Sequence, residues 1–195
     1  MTNVVDFTLH PDFKPLVGKL ITPARIHAGS QIIRWRGWMT QPVDIIRHSI
    51  AMHDCLQMLH PFEYRSQAAA LLHDLHETEI VGDVATPDKR VFMNDDYRDA
   101  VLRFDLELGH EAGLAYAEDH WFMDDLMKTA DRTATIVENA MFTSRIDNSL
   151  PIYSHHSVWH SAMRDAYLRV LAKTSDPVGA WFQRWQALVP HIRGE

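Results

Sequence analysis

Cysteine is almost missing from this chain: Cys55 is the single one among 195 residues, so no internal disulfide and no C-x-x-C metal or redox pattern can form. No charged-then-apolar leader stands at the N-terminus, and no apolar run approaches the roughly 18 residues that a bilayer span requires. These absences lead to the expectation of a reducing, cytoplasmic setting without membrane association. Also lacking are a G-x-x-x-x-G-K-[ST] loop and a G-x-G-x-x-G turn, so a backbone cradle for phosphates is unsupported. Cations are in the minority, 19 Lys and Arg against 26 Asp and Glu, for a formal net charge of −7. That balance argues against a surface tracking a nucleic-acid polymer, yet a small anionic ligand needs only a few local cations. Internal repeats and low-complexity segments are absent as well.

What the chain does have is helical periodicity, and strands are nowhere persuasive, so an all-α class is expected in one compact domain. Residues 1 to about 41 carry Pro11, Pro15, Pro23, Gly18, Gly29 and Gly37 and read as an irregular segment with a short helix around Ala28 to Trp35. A core of about 42–145 follows. Pro42 suits a first turn, and Val43, Ile46, Ile50, Leu56 and Leu59 recur at near-helical spacing. A helix from about Ser66 to His76 is apolar nearly all round, which suits the middle of a bundle. Val81 to Pro87 reads as a loop across the mouth of a site. Helices at about Asp95 to Asp119 and Asp124 to Thr143 come next, then C-terminal helices within about 155–190. The last of these carries Trp181, Phe182, Trp185, Leu188 and Val189 as one apolar stripe, a core or a subunit contact.

Within that frame the His73-Asp74 doublet carries the most chemistry, because an imidazole and a carboxylate side by side can ligate one divalent ion. His48 upstream and Asp131 downstream would complete a two-His, two-Asp set, suited to Zn²⁺, Mn²⁺ or Co²⁺. Taken alone, His48 is more often a satisfied core histidine than a ligand, and Asp131 could be an interior carboxylate paired with Lys128 or Arg132. On a continuous helix His73 and Asp74 lie about 100° apart, with Glu77 in the same sector. Taken alone, Glu77 is more often an exposed helix carboxylate, but packing by Leu71, Leu72 and Leu75 would raise its pKa and favour general acid/base work near neutral pH. His76 is expected at the site's edge. His155, His156 and His160 lack a nearby carboxylate and read as a loop and a helix start.

The ordered pattern of His48, His73-Asp74 and Asp131, with Glu77, Gly82-Asp83, Pro87 and Lys89 behind the doublet, resembles the HD-domain metal-dependent phosphohydrolases. Within them the "HDLHE", "GD" and "TPDK" run resembles bacterial 5′-deoxyribonucleotidases and phage dATP triphosphohydrolases, over about Ile32 to Glu138. The chain departs just before His48, where Ser-Val-x-Glu/Gln is usual and Val43-Asp44-Ile45-Ile46-Arg47 stands instead. The resemblance implies an HD-type helical bundle whose His48, His73, Asp74 and Asp131 hold the metal, with Glu77 as catalytic acid/base. It implies that Arg34 and Trp35 line a nucleotide pocket, the arginine on phosphate or base and the tryptophan as a wall. Lys89 would meet phosphate and Asp83 would fix the loop or touch substrate. The implied reaction is hydrolysis at the α-phosphorus of a deoxynucleotide, favouring dATP to deoxyadenosine and triphosphate, with additional Mg²⁺ on the phosphates allowed. The alternatives are a 5′-deoxyribonucleotidase acting on monophosphates and a non-catalytic nucleotide sensor or scaffold. A homo-oligomer is expected, in the host cytoplasm if the chain is phage-encoded.

Overall fold

Five polar side chains fix where helices begin. Thr22, Asp44, Asp124, Ser157 and Asp176 each accept a hydrogen bond from the backbone N–H three residues on, satisfying a donor that the first turn would otherwise leave open. Pro23 and Pro177 sit just behind two of these caps, where a missing N–H costs nothing. The computed structural model describes residues 18–37, 39–79, 95–114, 121–143 and 150–194. Among them run seven α-helices: α1 Pro23–Gly29, α2 Ile45–Leu59, α3 Tyr64–Leu72, α4 Asp95–Ala112, α5 Asp125–Phe142, α6 Val158–Lys173 and α7 Pro177–Arg193. Short 3-10 turns cover Arg34–Gly37, Leu75–Thr78 and Trp121–Met123. No strand occurs among the described residues, whose only bridges are Ile33 with Asp44 and Met39 with Thr143. The fold is therefore all-α, as the periodicity predicts.

Boundaries moved for local reasons. The first helix lies upstream of the expected Ala28 to Trp35 span, because Thr22 and Pro23 supply its start. Asp44 rather than Pro42 opens α2, its carboxylate capping the first turn just before His48. Arg47 then bonds to Asp44 and to the Thr174 carbonyl at 3.1 Å, closing the C-terminal end of α6. The helix expected from Ser66 to His76 ends at Leu72, and α4 ends at Ala112 rather than Asp119. Gly113 stops α4 by adopting φ 78°, a left-handed conformation that costs glycine nothing. The expected loop at Val81 to Pro87 and residues 1–17 lie outside the described residues.

The core is built around α2, which packs against α3, α5, α6 and α7. Ile46, Ile50, Met52 and Leu56 are fully buried on it, and α3 buries every residue from Ser66 to Leu72. The stripe on α7 is core: Trp181, Phe182 and Trp185 are buried, and the Trp181 indole donates to the Leu71 carbonyl at 3.1 Å. It is therefore not a subunit contact.

One ion pair ties α2 to α7. Arg184 donates to both oxygens of Asp54, at 2.6 and 2.7 Å, in a planar two-point contact. Burial acts to raise the Asp54 carboxyl, but the bonds from Arg184 and His53 outweigh it and hold the group below its usual value. Arg184→Ala should cost about 1.5–3 kcal/mol, the range for hydrogen bonds to charged groups. Because the folded-state pKa of Asp54 is depressed, its contribution is complete above roughly pH 4 and is lost as pH falls through the lower folded-state value. Urea denaturation of wild type and Asp54→Asn from pH 7 to 3 checks this: the gap between them should close at the acid end.

Candidate metal centre

Three helices and one break in a helix bring the predicted ligands together. His48 stands in the first turn of α2, Asp131 in the second turn of α5, and His73 caps α3. The chain leaves the α-helix at the doublet itself: Asp74 takes φ −102°, ψ 8°, and the 3-10 turn Leu75–Thr78 follows. The expected helical sector for His73, Asp74 and Glu77 is thus replaced by a tighter turn. It still gathers them, since one ligand atom each of Asp74, His76 and Glu77 lies within 4.8 Å of the others. Such a set could itself touch a cation.

His48, His73 and Asp74 likewise offer ligand atoms all within 4.8 Å of one another, with the two imidazole centroids 5.3 Å apart. Asp74 Oδ2 lies 3.1 Å from His73 Nε2 and 3.9 Å from His48 Nε2. Asp131 Oδ1 lies 3.3 Å from His48 Nε2 and 3.9 Å from His73 Nε2. All four expected ligands therefore face one point. Both Nε2 atoms are buried and make no hydrogen bond of proper geometry, even with these carboxylates close by. A buried polar atom left so costs about 1–3 kcal/mol, and a shared cation removes that cost for both rings at once. The His73 ring is already turned for ligation. Its Nδ1 faces the Ala70 carbonyl at 2.9 Å, which can only accept, so the lone pair belongs to Nε2. The nitrogen and oxygen donors fit a divalent ion. Asp131, with 44% of its side chain exposed, marks the side open to water.

A carboxylate that sequence reasoning did not single out lies directly behind the cluster. Glu138 is fully buried on α5, seven residues after Asp131 and so on the same face. Its Oε1 lies 2.8 Å from His48 Nδ1 and accepts from the Tyr167 hydroxyl on α6. Its Oε2 accepts from Arg34 Nε at 3.1 Å and from the Trp35 indole at 2.8 Å. The signal available in the sequence was the seven-residue spacing from Asp131, flanked by apolar Ala134 and Val137. Tyr167, from the C-terminal helices, carries no such signal.

Electrostatics follow from this crowding. Burial acts against ionised Glu138, yet Arg34 and His48 hold its carboxyl far below the usual range. Burial and Arg34 oppose the charged form of His48, but Glu138 and Asp131 prevail and raise it to about 9. Asp74 is held well below the ordinary carboxylate value by His73, Arg34 and His48, against the effect of burial. Burial and Glu138 push the Tyr167 phenol well up, so it stays a donor.

Arg34 and Trp35 occupy the 3-10 turn beside this network. Arg34 is buried, and a terminal nitrogen donates to Asp74 Oδ2 at 3.1 Å, so the fork expected on phosphate is engaged with Asp74 and Glu138. Trp35 adopts φ 58°, an uncommon value for a bulky residue, which the indole bond to Glu138 helps to hold. Glu77 is buried, 3% exposed, in the turn after the doublet. His76 Nδ1 lies 3.4 Å from Asp105 Oδ1 on α4, and this pairing lifts the imidazole against the effect of burial. Lys89 and Asp83 lie outside the described residues. His160 accepts from the Ser154 N–H at 2.8 Å and stacks on Tyr153, as a helix start would. A cavity of about 200 Å³ lined by residues including Asp54, Gln57, Arg169, Lys173 and Arg184 shares no residue with the cluster and presents no such convergence of ligands.

Comparison with models of protein families returns no match, and comparison with curated proteins returns none either. No described helix is long and apolar enough to cross a membrane. The functional reading therefore rests on the cluster and on the motif that predicts it.

Proposed function

We propose that this protein is a metal-dependent phosphohydrolase of the HD type that cleaves a deoxynucleotide at its α-phosphorus, with dATP, giving deoxyadenosine and triphosphate, as the favoured substrate. The observation that carries the reading is that two buried, unbonded imidazole nitrogens meet the Asp74 carboxylate, with the half-exposed Asp131 3.3 and 3.9 Å from them. The choice of a deoxynucleotide is supported by the resemblance of the "HDLHE", "GD" and "TPDK" run.

A divalent Zn²⁺, Co²⁺ or Mn²⁺ held by His48, His73, Asp74 and Asp131 would acidify water and polarise a phosphoryl oxygen. The remaining chemistry belongs to the chain. Glu77, buried beside Asp74, would take a proton from the attacking water and return one to the 5′ leaving oxygen. Arg34 places a fixed positive charge against Asp74, so the pocket is not left uniformly acidic for an anionic substrate. Asp131, facing solvent, leaves the approach open from that side. Lys89 would meet the phosphate tail, and Asp83 would fix the loop or touch substrate.

The test is a screen of metal-supplemented protein against deoxynucleoside mono- and triphosphates. Inorganic triphosphate released from dATP is the expected result. Free phosphate from dAMP would instead make the protein a 5′-deoxyribonucleotidase. Tight nucleotide binding with no product would make it a sensor and end the catalytic reading. Self-association belongs to the same proposal, and with the Trp181 to Trp185 stripe buried, its apolar surface would come from residues such as Phe62 and Ile152. Light scattering on the eluting peak measures it.

A further inference from the structure

We propose that Glu138 is a positioning residue that holds the hydrogen of His48 on Nδ1 and its lone pair on Nε2, and thereby sets how tightly the cluster binds its cation. The inference rests on the metal-centre reading above. A neutral imidazole carries one hydrogen on either nitrogen, and only the form with hydrogen on Nδ1 can ligate through Nε2. Two groups stand at His48 Nδ1: Glu138 Oε1 and the Tyr167 oxygen, both at 2.8 Å. The phenol has a single hydrogen, and it goes to Glu138 Oε1. Neither neighbour has a hydrogen left to offer, so Nδ1 must be the donor, and in the neutral ring that a cation requires the lone pair then stands on Nε2, on the side of Asp74 and Asp131.

Among the described residues the only other group at Nδ1 is the Tyr167 oxygen, which accepts there because its own hydrogen is held by Glu138. Asp131 and Asp74 approach the same ring from the Nε2 side, where they would favour the opposite tautomer, so without Glu138 the ring has reason to place its hydrogen on Nε2. The other Glu138 oxygen binds Arg34 and Trp35, which fixes the carboxylate so that Oε1 stays on the ring. His73 has its own, separate device in the Ala70 carbonyl, so of the two imidazoles only His48 loses its anchor with Glu138. A carboxylate behind a ligating histidine also raises the ring's donor strength, and outer partners of this kind change metal affinity by roughly 10- to 100-fold.

The experiment is Co²⁺ titration followed by visible absorption of the bound ion, on wild type, Glu138→Gln and Arg184→Ala. Glu138→Gln should bind Co²⁺ about 10- to 100-fold more weakly and change the absorption envelope. Arg184→Ala lowers stability away from the cluster and should bind as wild type, which separates positioning from general loosening. Glu138→Gln that folds and binds Co²⁺ with wild-type affinity overturns the inference while leaving the metal centre standing. Wild type that fails to bind Co²⁺ overturns both. Should Glu138→Gln not fold, zinc-loaded wild type labelled with ¹⁵N-histidine decides: a hydrogen-bonded proton on His48 Nδ1 is expected, and a proton on Nε2 refutes the assignment.

Discussion

On the proposed function, Asp74→Ala should lose bound metal and turnover together, with metal content falling to near zero and hydrolysis to background. Asp74 Oδ2 is the one atom that approaches His73, His48 and Arg34 alike, at 3.1, 3.9 and 3.1 Å. Removing it takes away a ligand and also leaves Arg34 facing two imidazoles, so the local charge turns against any cation. Arg34 keeps its bond to Glu138 and the chain should still fold. Metal analysis after gel filtration, with circular dichroism to establish folding, reads the result. Stoichiometric metal in a folded Asp74→Ala protein with unaltered turnover would remove the cluster from the mechanism.

Glu77→Gln should do the opposite: retain metal and lose turnover by about 10²- to 10⁴-fold, the usual contribution of a positioned acid/base group. The amide keeps the shape of the side chain in its buried turn but can neither take nor return a proton. Single-turnover kinetics on metal-loaded protein isolates the chemical step. Full activity in Glu77→Gln ends the acid/base assignment. Loss of metal along with activity would mean that Glu77 ligates, as its closeness to Asp74 and His76 allows, and the proton transfer would have to be sought elsewhere. The two variants therefore distinguish a ligand from a proton carrier within four residues of chain.

The stability expectation at Asp54 and Arg184 and the affinity expectation at Glu138 probe different parts of the molecule. One concerns how α2 is fastened to α7; the other concerns how a ring on α2 is turned. Both depend on α2 being buried on several sides, since a helix free to rotate could not hold His48 in one orientation between two carboxylates of α5.

Composition and periodicity alone determined the all-α class, most of the helices from α2 onward, and the burial of the α7 stripe, because apolar spacing states which face must leave water. The His-Asp doublet and the resemblance built on it, not periodicity, marked His48, His73, Asp74 and Asp131, which tertiary folding brings within 3.9 Å of a neighbour in the set across separations of 25, 1 and 57 positions. Folding alone decided the rest. The helix ended at His73-Asp74 instead of continuing through Glu77, a choice of backbone that no side-chain period encodes. Arg34 turned to Asp74 and Glu138, and Tyr167 arrived from a distant helix to meet His48 and Glu138. The physical reason is that a buried charge must find its partners wherever packing places them, and that distance in space is not written in the local order of residues.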